Sequence, residues 1–148
     1  MKKIIFTTFS KGFILFLLTF SLSGNILAQW VQTSGPIGTE VKSFAVMGEN
    51  LFAGTGSGIY LSSNNGTSWG YRTNGILCSP FNTLTVYENI LLSGGCDGVD
   101  FSTNSGISWV NMIIGTDIGV QSLAMDAPYI YAGTSGHGIY VTSNTGMS

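Results

Sequence analysis

The side chains able to do chemistry in this chain are few and scattered. Beyond residue 28 they are Asp97 and His137 in short Gly-rich turns, Arg72, Asp117 and Glu40 in longer connections, and the two cysteines Cys78 and Cys96. Two carboxyl groups at a set separation could serve glycoside hydrolysis, and Asp97 with Asp117 would be the pair. A thiol beside a base could act as a nucleophile, with His137 as the base for Cys78 or Cys96. Against both stands the ordinary role of Asp and polar residues in Gly-rich turns, which is to shape the turn. We therefore expect no catalytic residue and no cofactor, and take Arg72, Asp97, Asp117 and His137 as candidates for ligand binding from loops.

Charge excludes one partner class. All seven acids lie beyond residue 28, and only Lys42 and Arg72 are basic there, so without the leader the chain carries two positive and seven negative groups, a net of −5. Two separated cations cannot form the basic stripe that displaces counterions from phosphates, so nucleic acid is not expected as a partner. Residues 1–28 read as a secretory signal: Lys2, Lys3 and Lys11 precede the apolar run from Gly12 to Leu22, and Ala28 offers a cleavage point. That run is short of the roughly 20 apolar residues of a spanning helix, so no membrane span is expected in the mature form. Export, to the outside, the periplasm or the cell surface, is the expectation.

The elements that position these groups come from a repeat. Ser62-Ser63-Asn64-Asn65-Gly66-Thr67-Ser68-Trp69 is followed by Ser102-Thr103-Asn104-Ser105-Gly106-Ile107-Ser108-Trp109 and by Thr142-Ser143-Asn144-Thr145-Gly146-Met147-Ser148, with the glycines 40 residues apart. Upstream of each stands Gly58-Ile59-Tyr60-Leu61, Gly98-Val99-Asp100-Phe101 or Gly138-Ile139-Tyr140-Val141. Two more short β-branched or aromatic runs precede these, around Phe44 and Leu51, Leu84 and Ile90, Leu123 and Ile130. Four strands a, b, c and d in about 40 residues match the period of a propeller blade. Residues 29–148 are thus expected to be all-β, about three four-stranded antiparallel blades of an incomplete β-propeller. A solenoid of β-coils is the alternative, disfavoured because its repeats are shorter.

The turn resembles the Asp-box, or BNR, pattern Ser-x-Asp-x-Gly-x-Thr-Trp of sialidases, sortilin-type domains, xyloglucanase-type hydrolases and photosystem II assembly-factor-like propellers. Asn stands for Asp at Asn64, Asn104 and Asn144, and Ser for Thr at Ser68, Ser108 and Ser148. The resemblance implies a structural role for boxes 62–69, 102–109 and 142–148. Asn would accept from backbone N–H groups two residues on, Gly66, Gly106 and Gly146 would take positive φ, and Trp69 and Trp109 would anchor the turn. Ser62, Ser102 and Thr142 open the boxes. Three neutral Asn side chains do not supply the carboxylates of a Ca²⁺ loop, so no metal is expected. The arginine cluster that clamps a sialidase substrate cannot be built, because Arg72 is the only arginine.

In a four-stranded blade the a–b and c–d turns share one end. The opposite end would collect Ser57, Asp97 and His137 from b–c turns, and Glu40, Arg72, Cys78 and Asp117 from the connections. Cys78 and Cys96 would share that end, where a disulfide and two free thiols are both compatible with the spacing. Three blades are fewer than the four to eight that close a ring, so further blades or self-association are expected to complete it, the chain being read as an N-terminal fragment. The function expected is a secreted, non-enzymatic scaffold binding a protein or glycan. The alternatives are a fragment of a xyloglucanase- or sialidase-like hydrolase whose catalytic residues lie elsewhere, and an assembly factor.

Overall fold

Residues 29–76 and 79–143 of the computed structural model are described here. The leader, Cys78, and Asn144 and Gly146 of the third box lie outside them. From Gln32 on, the described residues cluster as one compact unit, and none of them is helical.

Among the described residues eleven strands form three antiparallel sheets. The first comprises β1 (Val41–Met47), β2 (Asn50–Thr55), β3 (Ile59–Ser62) and β4 (Gly70–Tyr71) in sequential order. The second repeats it with β5 (Thr83–Tyr87), β6 (Ile90–Gly94), β7 (Gly98–Ser102) and β8 (Val110–Ile113). The third holds β9 (Val120–Asp126), β10 (Tyr129–Thr134) and β11 (Ile139–Thr142). The first strands stand side by side, β1 against β5 and β5 against β9. These are successive blades of an incomplete propeller.

Register follows from turn chemistry. Met47 faces Asn50 and Tyr87 faces Ile90, leaving two-residue loops in which Gly48 and Glu88 adopt φ of 61° and 52°, as tight hairpins demand. Alternation then assigns each side chain to a face. In the first sheet Ala45, Phe52 and Leu61 share one face, and Phe44, Ala53, Tyr60 and Tyr71 the other. The core lies between sheets: Ala45, Phe52 and Ile59 pack on Phe81, Leu84, Leu91 and Trp109, and Leu92 and Val99 pack on Val120, Ile130 and Ala132. Close approach needs glycine in the second strand of the first two blades. A methyl at Gly54 would lie 3.2 Å from Leu84 Cγ, and one at Gly94 2.5 Å from Val120 Cγ1.

The c–d turns lock by side-chain to backbone hydrogen bonds. Ser62 Oγ donates to Asn64 Oδ1 (3.0 Å) and accepts from Gly66 N (2.8 Å), while Ser68 N donates to Asn64 Oδ1 (2.9 Å) and Asn64 Nδ2 to Ser68 Oγ (2.9 Å). Ser102, Asn104, Gly106 and Ser108 repeat the set within 0.1 Å of these values. The geometry differs from the expected one in a specific way: Asn accepts from the N–H four residues on, because the N–H two residues on is taken by the opening Ser. Positive φ falls on two successive residues, Asn65 with Gly66 and Ser105 with Gly106.

Candidate functional site

A cleft of about 160 Å³ opens beside the second blade, lined by Asp97, Asp100, Asn111 and Ile113 of that blade, by its b–c turn at Cys96, and by Ile76 of the preceding connection. The sequence shapes it through a register position. Tyr60 pairs with Tyr71 in the first blade, and Asp100 pairs with Asn111 at the corresponding place in the second. The two tyrosines contact edge to face at 5.4 Å and fill their surface with aromatic bulk. Asp100 and Asn111 are smaller and polar, so the same position becomes a hollow.

Asp100 is only 4% exposed, and its Oδ1 accepts a 2.9 Å hydrogen bond from Asn111 Nδ2. Desolvation by burial raises its pKa above the ordinary carboxylate value, and the Asn111 hydrogen bond opposes the rise. Next to it along the strand pairing, Ser93 faces Asp100, and Ser93 Oγ is buried without a hydrogen-bond partner. The turn that carries the rim is tight: Gly95 N donates to Gly98 O (3.2 Å). Gly98 has φ of 149° and a side chain there would run into the Met112 carbonyl, so only glycine fits. Cys96 is disulfide-bonded, which ties the same turn covalently.

The residues singled out from sequence are dispersed. Asp97 is exposed at the cleft rim. His137 is exposed in the third blade's b–c turn with Nδ1 3.2 Å from Ser135 O. Asp117 is exposed in the connection before β9, at φ of 60°. Arg72 continues the β3 pairing, its N–H donating to Ile59 O (2.8 Å), and its carbonyl accepts from Trp109 Nε1 (2.7 Å). Its guanidinium folds back over Gly70 and donates to Tyr71 O (2.9 Å). Of the four, only Asp97 lines the cleft. Glu40 is paired with Lys42 at 3.2 Å. Among the described residues no three His, Cys, Asp or Glu side chains converge as metal ligands would. Asp100, the buried charged residue of the cleft, lies inside strand β7 and not in a loop. The signal was present as the one charge where the other repeats carry Tyr60 and Tyr140.

No family model matches the chain, and no curated protein does. Solved structures do. An ancestral GH74 enzyme superposes with a TM-score of 0.64 at 21% identity, over 75% of this chain and 18% of that one. The extracellular domain attributed to a hybrid two component system of B. thetaiotaomicron gives 0.66 at 17% identity, over 78% of this chain and 17% of that one. The computationally designed Ika8 protein gives 0.56 at 17% identity, over 70% and 33%. The fold is that of a β-propeller segment. The chain spans less than a fifth of the first two of these proteins, and identities this low speak to fold alone. No helix among the described residues is long and apolar enough to cross a membrane.

Proposed function

We propose that the chain is part of an exported, non-enzymatic β-propeller of the Asp-box type that binds a protein or glycan partner at the Asp100 cleft. The observation that carries this reading is the exchange of a filled aromatic pair, Tyr60 and Tyr71, for a buried carboxyl and an amide facing a hollow. A buried carboxyl with a single hydrogen-bonded neighbour is costly for the fold alone, and a ligand bearing a cation or hydrogen-bond donor would relieve that cost. A basic protein side chain and the hydroxyl or amino group of a sugar both have that chemistry. The export signal at residues 1–28 and the net negative mature chain agree with a basic or neutral partner outside the cytoplasm.

The test compares the wild-type chain with Asp100→Asn on arrays of glycans and of basic peptides. Retention of one ligand class by the wild type, weakened tenfold or more in the variant, is expected. Equal retention by both proteins places binding elsewhere. Turnover of aryl glycosides would move the chain to the hydrolase class.

A further inference from the structure

Size and lining separate the two partner classes at the Asp100 cleft. Its volume of about 160 Å³ is close to that of the roughly 150 Å³ cavity that accepts benzene, a molecule of about six heavy atoms. A lysine side chain beyond Cα has about five such atoms and fits, whereas a hexose has about twelve and would reach only the rim. The walls carry the same pattern as that side chain. Ile76 and Ile113 are apolar, Asp100 and Asn111 supply polar atoms between them, and Asp97 adds a second acid at the rim. Ile113 shares its face of β8 with Asn111 by alternation, and it is 74% exposed. Apolar surface therefore stands uncovered beside a buried acid. No Lys, Arg or His lines the cleft among the described residues.

The polar atoms select the head group. Asp100 Oδ1 is engaged by Asn111 Nδ2 at 2.9 Å, so the carboxyl does not offer two free oxygens to the planar fork of a guanidinium. A compact ammonium needs no fork. Its three donors can be shared between the second oxygen of Asp100 and the side-chain oxygen of Asn111, whose nitrogen is spent on Asp100. Ser93, paired with Asp100 in register, keeps a buried hydroxyl with no hydrogen-bond partner, so the row as built holds polar capacity that the fold leaves unused. The wider field agrees in sign. Beyond residue 28 seven acids stand against Lys42 and Arg72, and a net negative surface draws cations toward it.

We infer that the Asp100 cleft receives a lysine side chain of a partner protein, its methylene stem between Ile76 and Ile113 and its ammonium on Asp100 and Asn111. This rests on the proposed role of the cleft as the binding site. Lysine is suited to a cleft with apolar walls and an acid, because its stem packs on apolar surface while its head stays in polar contact. The rim is preformed: Gly98 leaves no room for a side chain and Cys96 is disulfide-bonded. Little ordering is then needed on binding.

NMR titration of the ¹⁵N-labelled full chain tests this, read at the Asn111 side-chain amide and the backbone amides of Asp97 and Gly98. The probes are Nα-acetyl-lysine methylamide, its Nε-acetylated form, Nα-acetyl-arginine methylamide, butylamine and glucosamine. The lysine probe is expected to give saturable shifts at these amides, binding at least tenfold more tightly than the Nε-acetylated form or glucosamine and more tightly than the arginine probe. Asp100→Asn should weaken it tenfold or more, and Ile113→Ser, at an exposed position, several-fold, with circular dichroism confirming that both variants fold. An arginine probe or glucosamine that matches the lysine probe overturns the lysine assignment while leaving the cleft as the site, and butylamine binding tenfold more tightly than the lysine probe overturns it in favour of a free amine. Lysine binding that Asp100→Asn leaves unchanged overturns it too, since the ammonium then rests elsewhere. Silence at these amides with every probe overturns the lysine assignment; if the glycan and peptide arrays also retain nothing that depends on Asp100, the cleft itself falls as the binding site.

Discussion

Gly94→Ala is the sharpest probe of how the blades meet. The added methyl would lie 2.5 Å from Val120 Cγ1, 2.7 Å from Thr83 Cγ2 and 3.0 Å from Val120 Cβ, well inside ordinary van der Waals contact. Thr83 can rotate its methyl away. Val120 cannot retreat, because it is 0% exposed, its N–H donates to Gly95 O at 2.7 Å and its carbonyl accepts from Asn82 Nδ2 at 3.1 Å. Overpacking of this kind costs about 1–3 kcal/mol, and with two fixed atoms in the way the upper half of that range is expected. Val120→Ala alone leaves a cavity and should also destabilise, by roughly 1–3 kcal/mol. The double variant removes the clashing Cγ1, so its loss should fall short of the summed single losses by about 1 kcal/mol or more, the coupling expected of residues in contact. Urea unfolding followed by circular dichroism measures all four proteins. Additive losses, or a Gly94→Ala loss under about 0.5 kcal/mol, the size of an ordinary surface change, would refute the claim that Gly94 is kept bare for the next blade.

The turns and the cleft make separate predictions. Asn104→Ala deletes the acceptor of the Ser102 hydroxyl and Ser108 N–H and the donor to Ser108 Oγ, and should cost about 1–2 kcal/mol in the same urea assay at roughly 1 kcal/mol per bond, discounted for exposure. Asn104→Asp keeps both acceptor contacts and lets the Ser108 hydroxyl turn to donate, so it should lose less than half as much; equal losses would show that the amide itself is required. Because burial raises the folded pKa of Asp100, the folded state holds its proton more tightly, so this group's contribution to stability falls as pH rises from the unfolded value through the folded one, and stays low above it. Asp100→Asn keeps an acceptor for Asn111 and removes the buried charge. It should flatten that part of the stability profile and match or exceed the wild type at neutral pH; a profile identical to the wild type's would show that burial does not perturb this carboxyl.

The blades were legible from sequence because their determinants are local and repeated. Short β-branched runs and the Ser-x-Asn-x-Gly turn act within a few residues, and a 40-residue period multiplied the signal. The bonding inside the turn was less legible. Asn64 has two N–H groups within reach, and only the structure shows that Ser62 Oγ occupies the nearer one, leaving Asn64 to Ser68. Arg72 was expected among the loops, but its N–H still pairs with Ile59 O just beyond the end of β4 (Gly70–Tyr71) and its carbonyl serves the next blade's Trp109. Asp100 was invisible to a search of loops, since its neighbours along β7 are apolar and its partner Asn111 is 11 residues away across a sheet.

In a repeat protein the scaffold and the site leave opposite marks on the sequence. Positions that hold blades together must recur, because each junction solves the same packing problem, and Gly54 with Gly94 and Phe52 with Leu92 recur for that reason. A site needs to exist only once, so it is found where recurrence fails at a buried position. Exposed departures such as His137 and Asp117 are cheap and carry little weight, since a turn tolerates many polar residues. A buried departure is expensive: Asp100 gives up the aromatic packing available to Tyr60 and takes a desolvated carboxyl in exchange. The Trp109 indole shows that the rest of this junction with the first blade remains well packed, bonded to Arg72 O and Gly106 O, so the second blade is not loosened as a whole. The polar substitution is confined to the row Ser93, Asp100 and Asn111, and that confinement is what separates a built hollow from a poorly formed blade.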